Sequence, residues 1–238
     1  MQQDERTRRA RSAIESAALA LFSHQGYRAT SMRDIAEAAG VSTGSVYHHY
    51  PDKETLFRTL LDQYWEAISS PDYPMNAALA AGAFPDDLEA LGLAARESVT
   101  RYRPHVALIY VDVVEFDGEH IRKFYASMAE RFEAFLSKNP ALELEKKLQP
   151  GISALSAIML TSRIFLNYFA VEVLFNVPHH FGKNTDAVLG EIADILRRGL
   201  LRDGGGKKAT IRQPAGSRAR PPVSRARPPR KAARRQTA

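Results

Sequence analysis

The 238-residue sequence has no cysteine. A disulfide framework, a thiolate nucleophile, a thiolate zinc site and an iron–sulfur cluster on protein thiolates are therefore excluded. Long uncharged apolar runs are also missing. The most apolar stretch, Ile152 to Val177, is interrupted by Arg163 and Glu172. It falls short of the roughly 18 uninterrupted apolar residues of a spanning helix and reads as a buried one. The opening residues, MQQDERTRRARS, lack the apolar centre of a secretory signal. The expectation is a cytoplasmic protein without a membrane partner. No Gly-rich phosphate loop, G-x-S-x-G or H-E-x-x-H occurs, so neither an enzyme nor a cofactor is expected.

Acidic residues are absent from Gly204 to Ala238, where 11 of the 33 Lys and Arg residues lie. The other 203 residues carry the remaining 22 basic side chains against 27 acidic ones, a net charge of −5. The overall charge of +6 thus belongs to a tail, not to a basic body. That tail has five prolines, four glycines and no aromatic residue, and it repeats SRARPP at Ser217–Pro222 and Ser224–Pro229. Such a segment buries too little apolar surface to offset the entropy of ordering, so residues 204–238 are expected to be disordered. Their charge can attract a polyanion.

What remains is helical in pattern. Ile14, Ala17, Ala18, Leu21 and Phe22 recur at helical spacing over about Asp4–Gln25, and Gly26 suits a left-handed stop. Ser31 can cap a short helix carrying Met32, Ile35, Ala36 and Ala39, which Gly40 ends. Ser42 can cap a second short helix, Thr43–His49, and Asp52 a longer one bearing Leu56, Phe57, Leu60, Leu61, Tyr64, Trp65 and Ile68. Further helices are expected at Asp86–Tyr102, Pro104–Phe116, Gly118–Asn139, Leu144–Asn176 and Thr185–Leu201, with a start or kink at Pro150. No segment shows strand alternation.

Short helix, glycine-containing turn, short helix is the outline of a helix-turn-helix over about residues 31–50. A duplex major groove about 12 Å wide admits one helix. Val46 should point inward, leaving Thr43, Ser45, Tyr47 and His48 outward, while Gly44 lets the backbone approach DNA. Thr30, Ser31, Arg33 and Lys53 stand at helix ends where phosphates could lie. The charged run Arg6, Arg8, Arg9 and Arg11 could act as a minor-groove arm. His48 and His49 point about 100° apart on a helix and have no carboxylate at ligand spacing, so no metal is expected. Asp112, Glu115 and Asp117 read as a solvated acidic face.

Arg11 to Leu61 resembles the N-terminal domain of TetR/AcrR-family transcriptional regulators. The matching pieces include Gly26-Tyr27, Thr30-Ser31-Met32-Arg33-Asp34-Ile35-Ala36, Ala39-Gly40-Val41-Ser42, Gly44-Ser45-Val46-Tyr47-His48-His49-Tyr50 and Lys53-Glu54-Thr55-Leu56. The resemblance implies an all-α fold. A helix-turn-helix DNA-binding domain would occupy residues 6–66, and a helical ligand-binding and dimerisation domain residues 67–203. It implies a homodimer that binds double-stranded DNA at a palindromic operator, more often as a repressor, and is released by a small-molecule effector. DNA contacts would come from Arg33, Ser42, Thr43, Gly44, Ser45, Tyr47, His48, His49 and Lys53, with Tyr47 and Lys53 on phosphates. Trp65, Tyr110, Phe116, Phe165, Tyr168 and Phe169 are candidates for the ligand pocket. The long helix from about Gly151 and the last helix would form the dimer interface. The basic tail departs from the family pattern and suggests an alternative, an architectural DNA-binding protein acting mainly through that tail.

Overall fold

Side-chain caps set the helix starts in the N-terminal region. In the computed structural model, which describes residues 2–139 and 143–202, α1 (Gln2–Gln25) ends at Gly26, whose φ is 91°. Ser31 opens α2 (Met32–Ala39). Its hydroxyl accepts the Asp34 N–H at 3.1 Å, and the Asp34 carboxylate accepts the Ser31 N–H at 2.8 Å. This reciprocal box satisfies two N–H groups that a helix start otherwise leaves unpaired. Gly40 closes α2 in the left-handed region at φ 67°. Ser42 then caps α3 (Thr43–His49) and Asp52 caps α4 (Lys53–Ala67), accepting the N–H groups of Ser45 at 3.1 Å and Thr55 at 2.7 Å. Their apolar faces meet in one core that includes Ile14, Phe22, Ile35, Val46, Phe57 and Leu60.

Eight further helices follow among the described residues. They are α5 (Pro74–Ala80), α6 (Ala83–Asp86), α7 (Leu88–Arg101), α8 (Arg103–Glu115), α9 (Glu119–Lys138), α10 (Leu144–Lys147), α11 (Ala154–Phe169) and α12 (Thr185–Leu200). A second core gathers residues of α5, α7, α11 and α12, including Leu91, Phe165, Phe169, Val188 and Ala193. Leu108 of α8, fully buried, joins the N-terminal core instead. The fold is all-α, and among the described residues the only extended pairing is an isolated bridge between Leu148 and Leu201.

The structure corrects the expectation of one helix over Leu144–Asn176. Residues 148–153 are not helical, because Pro150 carries no amide hydrogen and Gly151 adopts φ 85°. The segment pairs instead with the end of α12, Gln149 donating to the Leu200 carbonyl at 2.7 Å. Beyond Phe169 the chain widens into a π-type turn, Ala170–Leu174. The stretch Ala154–Leu174 is long and apolar enough to cross a membrane by length and composition, and half of it is buried within the protein. The basic tail, residues 204–238, lies outside the described residues.

Candidate functional site

The helix-turn-helix face is built on one anchored side chain. Val46 is fully buried in the N-terminal core, and the 100° step of a helix then turns its neighbours outward. Tyr47 is 53% exposed, and Thr43, Gly44 and His48 are exposed, while Ser45 and His49 are half-buried. Around Gly44 a Cβ would meet nothing closer than the Ser42 hydroxyl at 3.9 Å, so the helix surface there is open. Arg33 is exposed on α2. Ser42 uses its oxygen as the α3 cap, which leaves its O–H free to donate.

Lys53 is more committed than the sequence suggests. Its ammonium donates to the Tyr27 and Thr30 carbonyls, each at 2.8 Å, and stands 4.1 Å from the centre of the Tyr27 ring. Burial lowers its pKa, and the Glu115 and Asp34 charges act in the opposite sense. Lys53 thus ties the α1–α2 loop to the start of α4, and one of its three N–H groups remains. The sequence missed a second brace. The Tyr50 hydroxyl donates to Glu15, which also receives Arg11 at 2.8 Å. Burial and the Glu15 hydrogen bond push the Tyr50 phenol up to about 12. This network fixes the end of α3 against α1. It also corrects the minor-groove arm, since residues 6–11 are the first turns of α1, with Arg9 paired to Glu5 and Arg11 to Glu15.

The reading of the acidic run as solvated holds for Asp117, which is exposed, and is corrected at Asp112 and Glu115. Asp112 is fully buried rather than solvated, hydrogen-bonded to His120 Nδ1 at 2.6 Å and accepting the Ile121 N–H at 3.0 Å. Glu115 pairs with Arg28 at 2.6 Å, joining α8 to the loop after α1.

A cavity of about 610 Å³ lies among α4, α5, α7, α8, α9 and α11. Of the six aromatic candidates, Trp65 and Tyr110 line it. Trp65 stacks on Phe124 at 4.4 Å and an interplanar angle of 10°. The other four lie elsewhere. Phe116 stacks on Phe57 at 5.0 Å in the N-terminal core. Phe165 and Phe169 are fully buried in the second core, and Tyr168 donates to Glu172 at 2.8 Å. Helix geometry gives the reason. Phe165, Tyr168 and Phe169 share one face of α11, and Ser162, Arg163, Leu166 and Asn167, which do line the cavity, share the other. The polar residues on that second face were the available sequence signal.

The family model for bacterial regulatory proteins of the tetR family matches residues 14–60, the stretch from the middle of α1 into α4. Within that stretch the chain is similar to the DNA-binding region of tetR-family regulators. Among curated relatives, the chain is 34% identical over 103 residues to the HTH-type transcriptional repressor KstR2 of Mycobacterium tuberculosis, a match covering 40% of this chain and 46% of the relative. It is 46% identical over 57 residues to the HTH-type transcriptional regulator AcrR of Shigella flexneri, covering 24% and 25% of the two chains. The chain thus spans less than half the length of these relatives. The crystal structure of NalD, the secondary repressor of the MexAB-OprM multidrug efflux pump in Pseudomonas aeruginosa, is similar in fold. Its TM-score is 0.55 at 23% identity, and the match covers 85% of this chain and all of NalD.

Proposed function

We propose that this chain is a homodimeric transcriptional regulator of the cytoplasm, a repressor that leaves a palindromic operator when a small molecule fills the α4–α11 cavity. The observation that carries the reading is α3 itself: a rigidly seated helix that presents Thr43, Gly44, Ser45, Tyr47 and His48 to the outside. In this reading Ser45, Thr43 and His48 read base edges, while Tyr47, Arg33, Ser42, His49 and Lys53 hold phosphates. Pairing two copies through α11 and α12 would cover apolar side chains left open on those helices, Leu160 at 55% exposure and Ile195 at 70%. A two-fold pair sets two recognition helices about 34 Å apart, one turn of duplex.

Helix α4 is the natural route between the two functions. It begins at Lys53 beside the DNA-facing unit and reaches Trp65 at the cavity wall. A ligand that binds better to one spacing of the recognition helices shifts the population toward that spacing. The names of the relatives, repressors among them, support repression over activation. The basic tail favours a second reading, an architectural protein that grips DNA mainly through residues 204–238.

Selection of the full chain against randomised duplexes separates the two. Enrichment of a two-fold symmetric sequence, lost when Thr43, Ser45 and His48 are changed to alanine, supports the regulator. Affinity indifferent to sequence and to those substitutions overturns it.

A further inference from the structure

The cavity has an unbalanced electrostatic lining. Most of its wall is apolar or aromatic, yet Arg131, Lys138 and Arg163 also border it, and no aspartate or glutamate does. Among the described residues none of these three cations has a carboxylate within ion-pair distance. The two guanidinium groups rest on neighbouring rings instead, Arg131 at 5.8 Å from the Phe124 centroid and Arg163 at 5.2 Å from that of Tyr125. Those rings belong to consecutive residues of α9 and are 5.5 Å apart. Glu66 borders a more open neighbouring hollow, which shares Trp65, Ser69 and Arg131 with the cavity.

A second observation is independent of charge. Ser162 is 4% exposed and lines the same cavity, and its hydroxyl oxygen has no hydrogen-bond partner. A serine within a helix ordinarily donates back to its own backbone or meets a neighbour, and a buried hydroxyl without a partner costs free energy. That oxygen is shielded from the cavity itself, so the polar contact of a ligand falls to the cations.

We infer that the cavity takes an amphipathic organic anion. Its apolar body would lie against Trp65, Tyr110 and Phe124, and a carboxylate would meet Arg131 and Arg163. Planar guanidinium groups match carboxylate oxygens in pairs, and an apolar surround strengthens the contact. The volume is within the range of sites that enclose a drug-sized molecule. This inference rests on the effector reading above and adds the chemical class.

The test uses the full chain and three twelve-carbon probes below their micellar concentrations: dodecanoate, dodecan-1-ol and dodecyltrimethylammonium. Trp65, the only tryptophan, reports occupancy by its fluorescence. Dodecanoate should bind about tenfold more tightly than the alcohol, and the ammonium probe more weakly than both. Arg163→Gln and the double variant with Arg131→Gln should erase the preference and leave alcohol affinity unchanged. The basic tail is intact in every variant, so attraction to it cancels. Equal affinity of acid and alcohol for the unaltered protein overturns the inference, as does binding of none of the probes. A carboxylate preference that survives the double variant overturns it as well. Operator selection contains no ligand and the probe titration contains no DNA, so the regulatory reading and the ligand class fail separately.

Discussion

A carboxylate withdrawn from water needs partners inside the protein, and Asp112 finds them in His120 and the Ile121 N–H. His120 in turn sets its ring edge-on to Phe116 and Phe57, so the pair joins α8 and α9 to the N-terminal core. Asp112→Ala should lower stability by about 2–4 kcal/mol, because it strands a buried imidazole and an amide together. Urea unfolding measures this, and a loss under about 1 kcal/mol would contradict it. His105 makes a pH-dependent contribution. Burial lowers its pKa, and it stacks on Tyr64 at 5.5 Å. The unfolded chain therefore takes up a proton near the ordinary value of about 6.5, where the folded chain does not. The stability from the neutral ring is present above that pH and is lost as pH falls from there through the folded value. The melting temperature should thus drop more between pH 7 and 5 for the unaltered protein than for His105→Phe, which keeps the stack. Equal pH dependence would remove His105 from the account. On the proposed DNA-binding face, Thr43→Ala, Ser45→Ala and His48→Ala should each cost about 1–3 kcal/mol of operator affinity where the side chain reads a base. A binding competition against random duplex checks that the loss is confined to the operator. The inward turn of Val46 was legible because helix spacing alone decides it. The burial of Asp112 was not, since its partners lie eight and nine residues along the chain on another helix.

The elements with strong local signals were the legible ones. Ser31, Gly40, Ser42 and Asp52 stop and start α2, α3 and α4 by side-chain and backbone chemistry that needs no tertiary contact. The short helices α5 and α6 lack that advantage, because Pro71, Pro74, Gly82 and Pro85 leave no room for a full helical period. They form by docking Met75, Leu79 and Phe84 into the second core. The cavity was half legible: aromatic content pointed to α11, but the aromatic face is the packed one and the serine and arginine face is the open one. The packing of α11 hinges on a close approach at Gly92 of α7. A Cβ there would stand 2.2 Å from Leu189 of α12 and 3.0 Å from the Phe165 ring of α11. Leu189 ends in a flexible branch, but the ring is fully buried and cannot retreat freely. Gly92→Ala gains helix propensity of just under about 1 kcal/mol yet should be destabilising overall by roughly 1–2 kcal/mol through overpacking. Calorimetric melting checks the sign, and a stabilised variant would show that the three helices have slack.

At the scale of the whole chain, charge is divided between a net-negative body and a tail of 11 basic residues without an acidic one. An acidic body is repelled by a duplex except where α3 and its neighbours present donors, so specific contacts alone must hold it in register. A cationic segment continuous with that body would add attraction that is blind to sequence. Such attraction has a measurable signature. Each phosphate neutralised contributes about −0.9 to the slope of log affinity against log salt. Deleting residues 204–238 should weaken binding to operator and to random duplex by the same factor and should flatten the slope. Engagement of about five phosphates would reduce its magnitude by about 4–5. The ratio of operator to random affinity should stay unchanged if, as proposed, the side chains that read bases lie on α3. If truncation lowers affinity for random duplex alone, or leaves the slope as it was, the tail plays no part in operator binding and the body must overcome its own negative charge without help.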